Sequence, residues 1–123
     1  MYLARYNTSR MELDIEVYET VNGKRPFEIW LREVRERSTR VQVLTRLDRL
    51  KLGNFGDCKS LQEGVYELRV HYGPGIRVYY GKIGSKVILL LCGGDKGSQN
   101  RDIEKAKEYL KDYQSRGLKY GKK

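Results

Sequence analysis

A chain of 123 residues fits one domain and is long enough to bury a core without a disulfide or metal staple. Lys and Arg number 25 against 16 Asp and Glu, a formal net charge of +9 with a pI near 9.6, which favours polyanionic partners, nucleic acid first and an acidic protein second. The longest apolar run, Val87–Cys92, is too short to span a bilayer, and no signal peptide is legible.

The two cysteines, Cys58 and Cys92, stand in no CxxC and have no histidine at metal-ligand spacing. A reducing, cytoplasmic setting is therefore expected. Cys92 ends an apolar stretch and reads as a buried small hydrophobe, whereas Cys58 falls in a loop where it could be exposed.

Residues 1–12 carry no clear period and are expected to be an extension outside the domain, with Met11 an alternative translation start. "LDIEVYET" (Leu13–Thr20) alternates, with Leu13, Ile15 and Val17 on one side, and predicts a half-buried strand. "VNGK" turns the chain, and Pro26 suits the first position of a helix. Phe27, Trp30, Leu31 and Val34 form one apolar stripe at helical spacing, in which Trp30 is expected to be core. "RST" is expected to break this helix, with Ser38 or Thr39 capping the next. Val43, Leu44, Leu47 and Leu50 form a second stripe, stopped by Gly53, so the pair reads as a helix hairpin.

"GNFGDCKSLQEG" reads as an irregular loop. Three strands are expected next, over Val65–Tyr72, Ile76–Lys82 and Lys86–Cys92, joined by tight turns into an antiparallel meander. Ile88–Leu91 lacks alternation, as a central strand covered on both faces does. After a glycine-rich exit, Ser98 can cap a last helix with Ile103, Ala106, Leu110 and Tyr113 on one side. The basic residues beyond 114 read as a frayed tail. The fold class is α+β: an N-terminal strand and helix hairpin, an antiparallel sheet and a C-terminal helix, one domain over residues 13–114.

The candidate site lies on the first hairpin of the meander. Alternation puts Val65, Glu67, Arg69 and His71 on one side of its first strand, and Arg77 and Tyr79 on one side of its second. In register, Arg69, His71, Arg77 and Tyr79 share a face while Leu68, Val70, Ile76 and Val78 enter the core. His71 is the chain's one histidine, and the flanking cations are expected to lower its pKa. The plainest reading is a solvated sheet face with Arg69 paired to Glu67 or Glu63. The convergence of Arg69, His71 and Arg77 beside a glycine-rich loop carrying Lys96 favours a phosphate site instead. Lys24, Arg25, Arg32, Arg35, Arg46, Arg49 and Lys51 read as further electrostatic contacts to a polyanion.

"FEIWLREV", then "RLDRLKLGNFGDCKSLQEGVYELRVHYGPGIRVYYG", then "LLLCGGDKGSQNRDIEKAKEYL" resemble the RelE/ParE superfamily of type II toxins, most closely its HigB-like addiction-module killer branch. The resemblance runs from about Leu13 to Tyr113. It implies a microbial-RNase-type fold and a ribosome-dependent mRNA endoribonuclease. It also implies neutralisation by a cognate helix-turn-helix antitoxin, with operator DNA met only through that complex. Arg69 and Arg77 match two basic strand positions of such toxins, and Lys96 falls in a loop that often carries another. Arg69, His71, Arg77 and Lys96 are thus the candidate catalytic residues, and Tyr79, Lys59 and Gln99 the candidate substrate-binding ones. No metal and no cofactor is implied. Some such toxins use a tyrosine in the final helical segment; here that region reads "NRDIEKA". The alternatives are a ParE-like DNA gyrase inhibitor without nuclease activity and a non-catalytic nucleic-acid-binding module.

Overall fold

The computed structural model describes residues 12–120. The expected N-terminal extension falls, but for Glu12, outside the described residues. The elements are β1 (Asp14–Val17), α1 (Pro26–Glu33), α2 (Arg37–Lys51), β2 (Cys58–Ser60), β3 (Val65–Val70), β4 (Ile76–Ile83), β5 (Val87–Gly94), a 3₁₀ turn (Lys96–Ser98) and α3 (Gln99–Tyr120). The five strands form one sheet in the order β1-β5-β4-β3-β2. The class is α+β, as expected. The β3-β4-β5 meander is antiparallel, and β1 joins it in parallel beside β5.

Helices cover both faces of the sheet. On one, α1 and α2 bury Phe27, Val43, Leu47 and Leu50 against Leu68, Val70, Ile76, Val78, Ile88 and Leu90. On the other, α3 buries Ala106 and Leu110 against Val65, Tyr79, Leu89 and Leu91. The unbroken apolar run of β5 follows from this: its odd and even residues enter different cores. A bulge shifts the β4–β5 register between Tyr79 and Tyr80, so the successive residues Leu91 and Cys92 both belong to the α3 side.

Several local expectations give way to tertiary contacts. The helix break falls at Val34–Glu36, not at "RST"; α2 begins at Arg37 and neither Ser38 nor Thr39 caps it. Arg40 closes the link instead, its Nη1 donating to the carbonyls of Val34 (2.5 Å) and Arg35 (3.2 Å) at the end of α1. Thr39 takes a core place in the α2 stripe, while Leu44 lies 48% exposed. The loop before β3 contains the short edge strand β2. Asp95, not Ser98, caps the chain entering α3: its carboxylate accepts from the N–H groups of Gly97 (2.8 Å) and Ser98 (3.3 Å). The helix then runs on to Tyr120, through most of the stretch expected to fray.

Tyr18, just past β1, ties that edge to α3. Its ring stacks on Tyr109, and its hydroxyl donates to Asp112 at 2.6 Å. Arg116 reaches the same carboxylate at 2.6 Å and the carbonyl of Glu19 at 2.7 Å. Burial, helped by the bond to Asp112, pushes the Tyr18 phenol up to about 12. We expect Tyr18→Phe to lower stability by about 1–2 kcal/mol in urea unfolding at neutral pH. The folded phenol holds its proton more tightly than the unfolded one, whose ordinary value is 10.0, so this contribution is complete below that pH and fades as pH rises toward 12. The wild-type and Tyr18→Phe curves should therefore converge on the alkaline side, and again in acid, because the same hydrogen bond holds the Asp112 carboxyl below its usual range and is lost when that carboxylate is protonated.

Candidate functional site

The β3–β4 register sets Arg69 directly opposite Arg77 and Glu67 opposite Tyr79. Lys59 on β2 lies opposite Glu67, so all five residues share one face of the sheet, the face that α3 crosses. The shared face of Arg69, Arg77 and Tyr79 is as expected; its solvation is not. Tyr79 and Glu67 are wholly buried. Tyr79 therefore has no ring surface to offer a base, which corrects its assignment to substrate binding. Burial, then the nearby Glu67 charge, pushes its phenol up, so it remains a donor, 3.4 Å from Glu67 Oε2.

Glu67 is the centre of the arrangement, and the strand pattern alone does not single it out. Its Oε1 lies 3.2 Å from Arg69 Nε, and its Oε2 accepts from Gln99 Nε2 at 2.7 Å. Arg77 Nε is 3.4 Å from the same Oε2 but is not aimed at it, and has no hydrogen-bond partner among the described residues. Arg77 Nη1 donates to the carbonyl of Gly75 at 3.0 Å. Gln99, expected to bind substrate directly, instead uses its amide to hold Glu67 from the first turn of α3. Neither terminal nitrogen of Arg69 has an acceptor among the described residues. The Arg69 side chain is 33% exposed and that of Arg77 13%.

Lys96 joins this cluster through Gly75. The glycine sits at φ +82°, and a Cβ there would lie 3.3 Å from Arg77 Nη1 and 3.8 Å from the Lys96 Cβ. Lys96 is exposed, on the 3₁₀ turn just before α3. Lys59 is exposed at the sheet edge. Lys59, Arg69, Arg77 and Lys96 thus form a cationic margin around the buried carboxylate, at the end of the sheet that α3 leaves open.

His71 stands beside this margin rather than within it. β3 ends at Val70, and the exposed imidazole turns to Asp57, with Nε2 at 2.5 Å from Oδ2. Its charged contact is a carboxylate, so the expected placement between two guanidinium groups is corrected. Asp57 is attached to the site all the same, because its carbonyl accepts the Arg69 N–H at 2.9 Å. The hydrogen bond with His71, with Arg69 and Arg46 nearby, holds the Asp57 carboxyl below its usual range.

Arg46 is not a free surface cation. It donates to the carbonyls of Arg69 (2.6 Å) and Phe55 (3.3 Å) and pins the loop before β2. Arg25 is paired with Glu19 and Glu28. Neither cysteine is a surface thiol: Cys58 is half-buried, its Sγ 2.9 Å from the Phe55 carbonyl, and burial pushes Cys92 up to about 12. Among the described residues no three His, Cys, Asp or Glu side chains gather as a metal site, and no helix is long and apolar enough to cross a membrane.

No family model matches the chain. A protein of Haemophilus influenzae, described as an uncharacterized protein, is 42% identical over 81 residues, covering 66% of this chain and 82% of its own length. The chain belongs to the family of that Haemophilus protein. A match of that length cannot avoid residues 43–81 of a 123-residue chain. The family relationship therefore takes in β2, β3 and most of β4, the strands that carry Lys59, Glu67, Arg69 and Arg77.

Proposed function

We propose that the open end of this sheet binds and cleaves RNA without a metal ion, and that the chain is a type II toxin of the RelE/ParE kind, HigB-like in branch. On this reading it cuts mRNA on the ribosome, in the cytoplasm, and is held inactive by a cognate antitoxin. The finer, RelE-like description of the fold belongs to the same proposal. The observation that carries it is the Arg69–Arg77 pair. The two arginines stand opposite each other on the ladder, Arg69 Nε donating to one oxygen of a buried carboxylate and Arg77 Nε lying 3.4 Å from the other, with the Arg69 terminal nitrogens free of acceptors among the described residues. A planar guanidinium anchored on its inner edge presents its outer edge to a phosphate.

In the chemistry this supports, the 2′-oxygen attacks the adjacent phosphorus and the bond to the 5′-oxygen breaks. A 2′,3′-cyclic phosphate and a 5′-hydroxyl are left. The 2′-OH proton must go to a base, and the departing 5′-oxygen must receive one. Arg69 and Arg77 hold the scissile phosphate and stabilise the charge that grows on the phosphorane. Lys96 serves the same oxygens or a neighbouring phosphate. His71, with Asp57 on Nε2, keeps Nδ1 for proton transfer at the margin. Asp95, the one carboxylate of the glycine-rich loop, is committed to capping the turn. The surface cations Lys24, Arg32, Arg35, Arg49 and Lys51 supply general attraction to ribosomal RNA, with steep salt dependence.

Induction of the chain in cells, with mRNA 5′ ends mapped genome-wide, tests the reading. New ends inside translated frames, suppressed by co-expression of the antitoxin, are expected. Growth arrest with intact transcripts and induced DNA repair would replace it with gyrase inhibition. Binding to RNA without cuts or arrest would replace it with a binding module.

A further inference from the structure

We infer that Glu67 is a positioning residue that turns two arginines toward a single phosphate; the inference rests on the phosphate-binding reading above. Glu67 is the one acidic side chain among the buried described residues, and burying a carboxylate is costly unless its oxygens are paired. Its partners come from three elements: Arg69 on its own strand, Arg77 and Tyr79 on β4, and Gln99 on α3. Lys59 stands across from it on β2. Arg69 and Arg77 occupy directly opposite positions, where like charges repel. A carboxylate one pair further along the ladder, with Oε1 accepting from Arg69 Nε at 3.2 Å and Oε2 within ion-pair reach of Arg77 Nε at 3.4 Å, lets both cations stay.

A purely architectural ion pair makes a different prediction, and Glu67→Gln separates the two. The amide keeps the shape and the contact with Gln99 but removes the negative charge, so the site becomes more positive by one. Binding of a non-cleavable 2′-deoxy-substituted oligonucleotide should hold or tighten by up to about threefold at low salt. Turnover on programmed ribosomes should fall about a hundredfold, as expected for misplaced rather than missing groups. The melting temperature should fall by several degrees, because an amide nitrogen then faces a buried donor and the opposed arginines lose the charge between them, but the chain should stay folded at the assay temperature. Equal loss of binding, turnover and melting temperature would make Glu67 an architectural residue and overturn the inference. So would turnover within threefold of wild type in a folded Glu67→Gln.

Side-chain NMR provides a reading that does not depend on cleavage. In wild type, inorganic phosphate should shift the Arg69 and Arg77 Nε–H signals along one common titration curve, and in Glu67→Gln along two. Two separate curves in wild type would overturn the inference even if the protein is a nuclease. A common curve in a wild type that cuts no RNA would uphold the inference and discard the nuclease reading.

Discussion

Arg77→Ala is expected to lower mRNA cleavage about a thousandfold while leaving the chain folded, at the upper end of what loss of one preorganised charge-stabilising donor does. Three features make Arg77 the larger of the two arginine effects. It is the more buried, at 13% side-chain exposure against 33% for Arg69, so less water can take its place. Its Nη1 is fixed by the Gly75 carbonyl, which leaves the rest of the guanidinium little freedom. It also adjoins Lys96 across Gly75, so its loss opens a gap between the remaining cations. The fold should survive because Glu67 keeps Arg69 and Gln99 as partners. Arg77→Lys restores charge but not the planar fork and should recover only part of the rate. His71→Ala should cost less, about tenfold to a hundredfold, because the imidazole is 74% exposed and solvent can carry protons in its stead. Initial rates on programmed ribosomes, with melting curves for each variant, decide the matter. A folded Arg77→Ala that cuts like wild type would remove the phosphate clamp from the mechanism.

The strands were the most legible part of this chain, and the reason lies in the hairpin turn. "YGPG" closes β3 onto β4, so the alternation on either side puts Arg69 and Arg77 on one face once the strands are in register; the ladder itself sets them directly opposite. What alternation cannot reveal is whether a polar-looking face meets solvent. Val65, Glu67, Arg69 and Tyr79 read as an outward set, yet α3 packs over Val65 and Tyr79, and Glu67 and Tyr79 are completely buried while Arg69 stays at the margin. The stripe of Ile103, Ala106, Leu110 and Tyr113 shows that α3 has a core face; which sheet surface receives it is a tertiary fact. His71 was misplaced for a related reason: the ladder stops at Val70, and one residue beyond a strand end alternation carries no direction. The bulge near Tyr79 leaves no compositional trace either. At the helix termini, Ser38 and Ser98 looked like caps by residue type, but a guanidinium from Arg40 and a carboxylate from Asp95 satisfy those ends. Local preference loses where a longer side chain reaches the same backbone groups.

Two adjacent glycines at the end of β5 should separate stability from activity. Gly93 faces α1, where an added Cβ would overlap the Trp30 ring, with Cζ3 at 2.5 Å. Gly94 faces the other way, where a Cβ would press on the Asp102 carboxylate and lie 2.7 Å from Ser98 Oγ. The obstacles differ in kind. The Trp30 ring is rigid and packs on Phe27, so Gly93→Ala must lift α1 from the strand, at about 2–3 kcal/mol. For a domain of this size that is a fall of roughly 10 °C in melting temperature. The Asp102 and Ser98 groups are the ends of short side chains that can turn aside, so Gly94→Ala should cost only about 1–2 kcal/mol. Turning aside, however, breaks their mutual hydrogen bond of 2.5 Å and shifts the first turn of α3. That turn carries Gln99, which holds Glu67, which holds the arginines. Gly94→Ala should therefore lose about tenfold in cleavage while remaining the more stable of the two variants. Gly93→Ala, assayed well below its melting temperature, should cut nearly as well as wild type. Melting curves and turnover measured together on both variants would show the two effects on opposite sides of one strand. If both variants lost activity only in proportion to stability, α3 would not be the element that transmits position to the site.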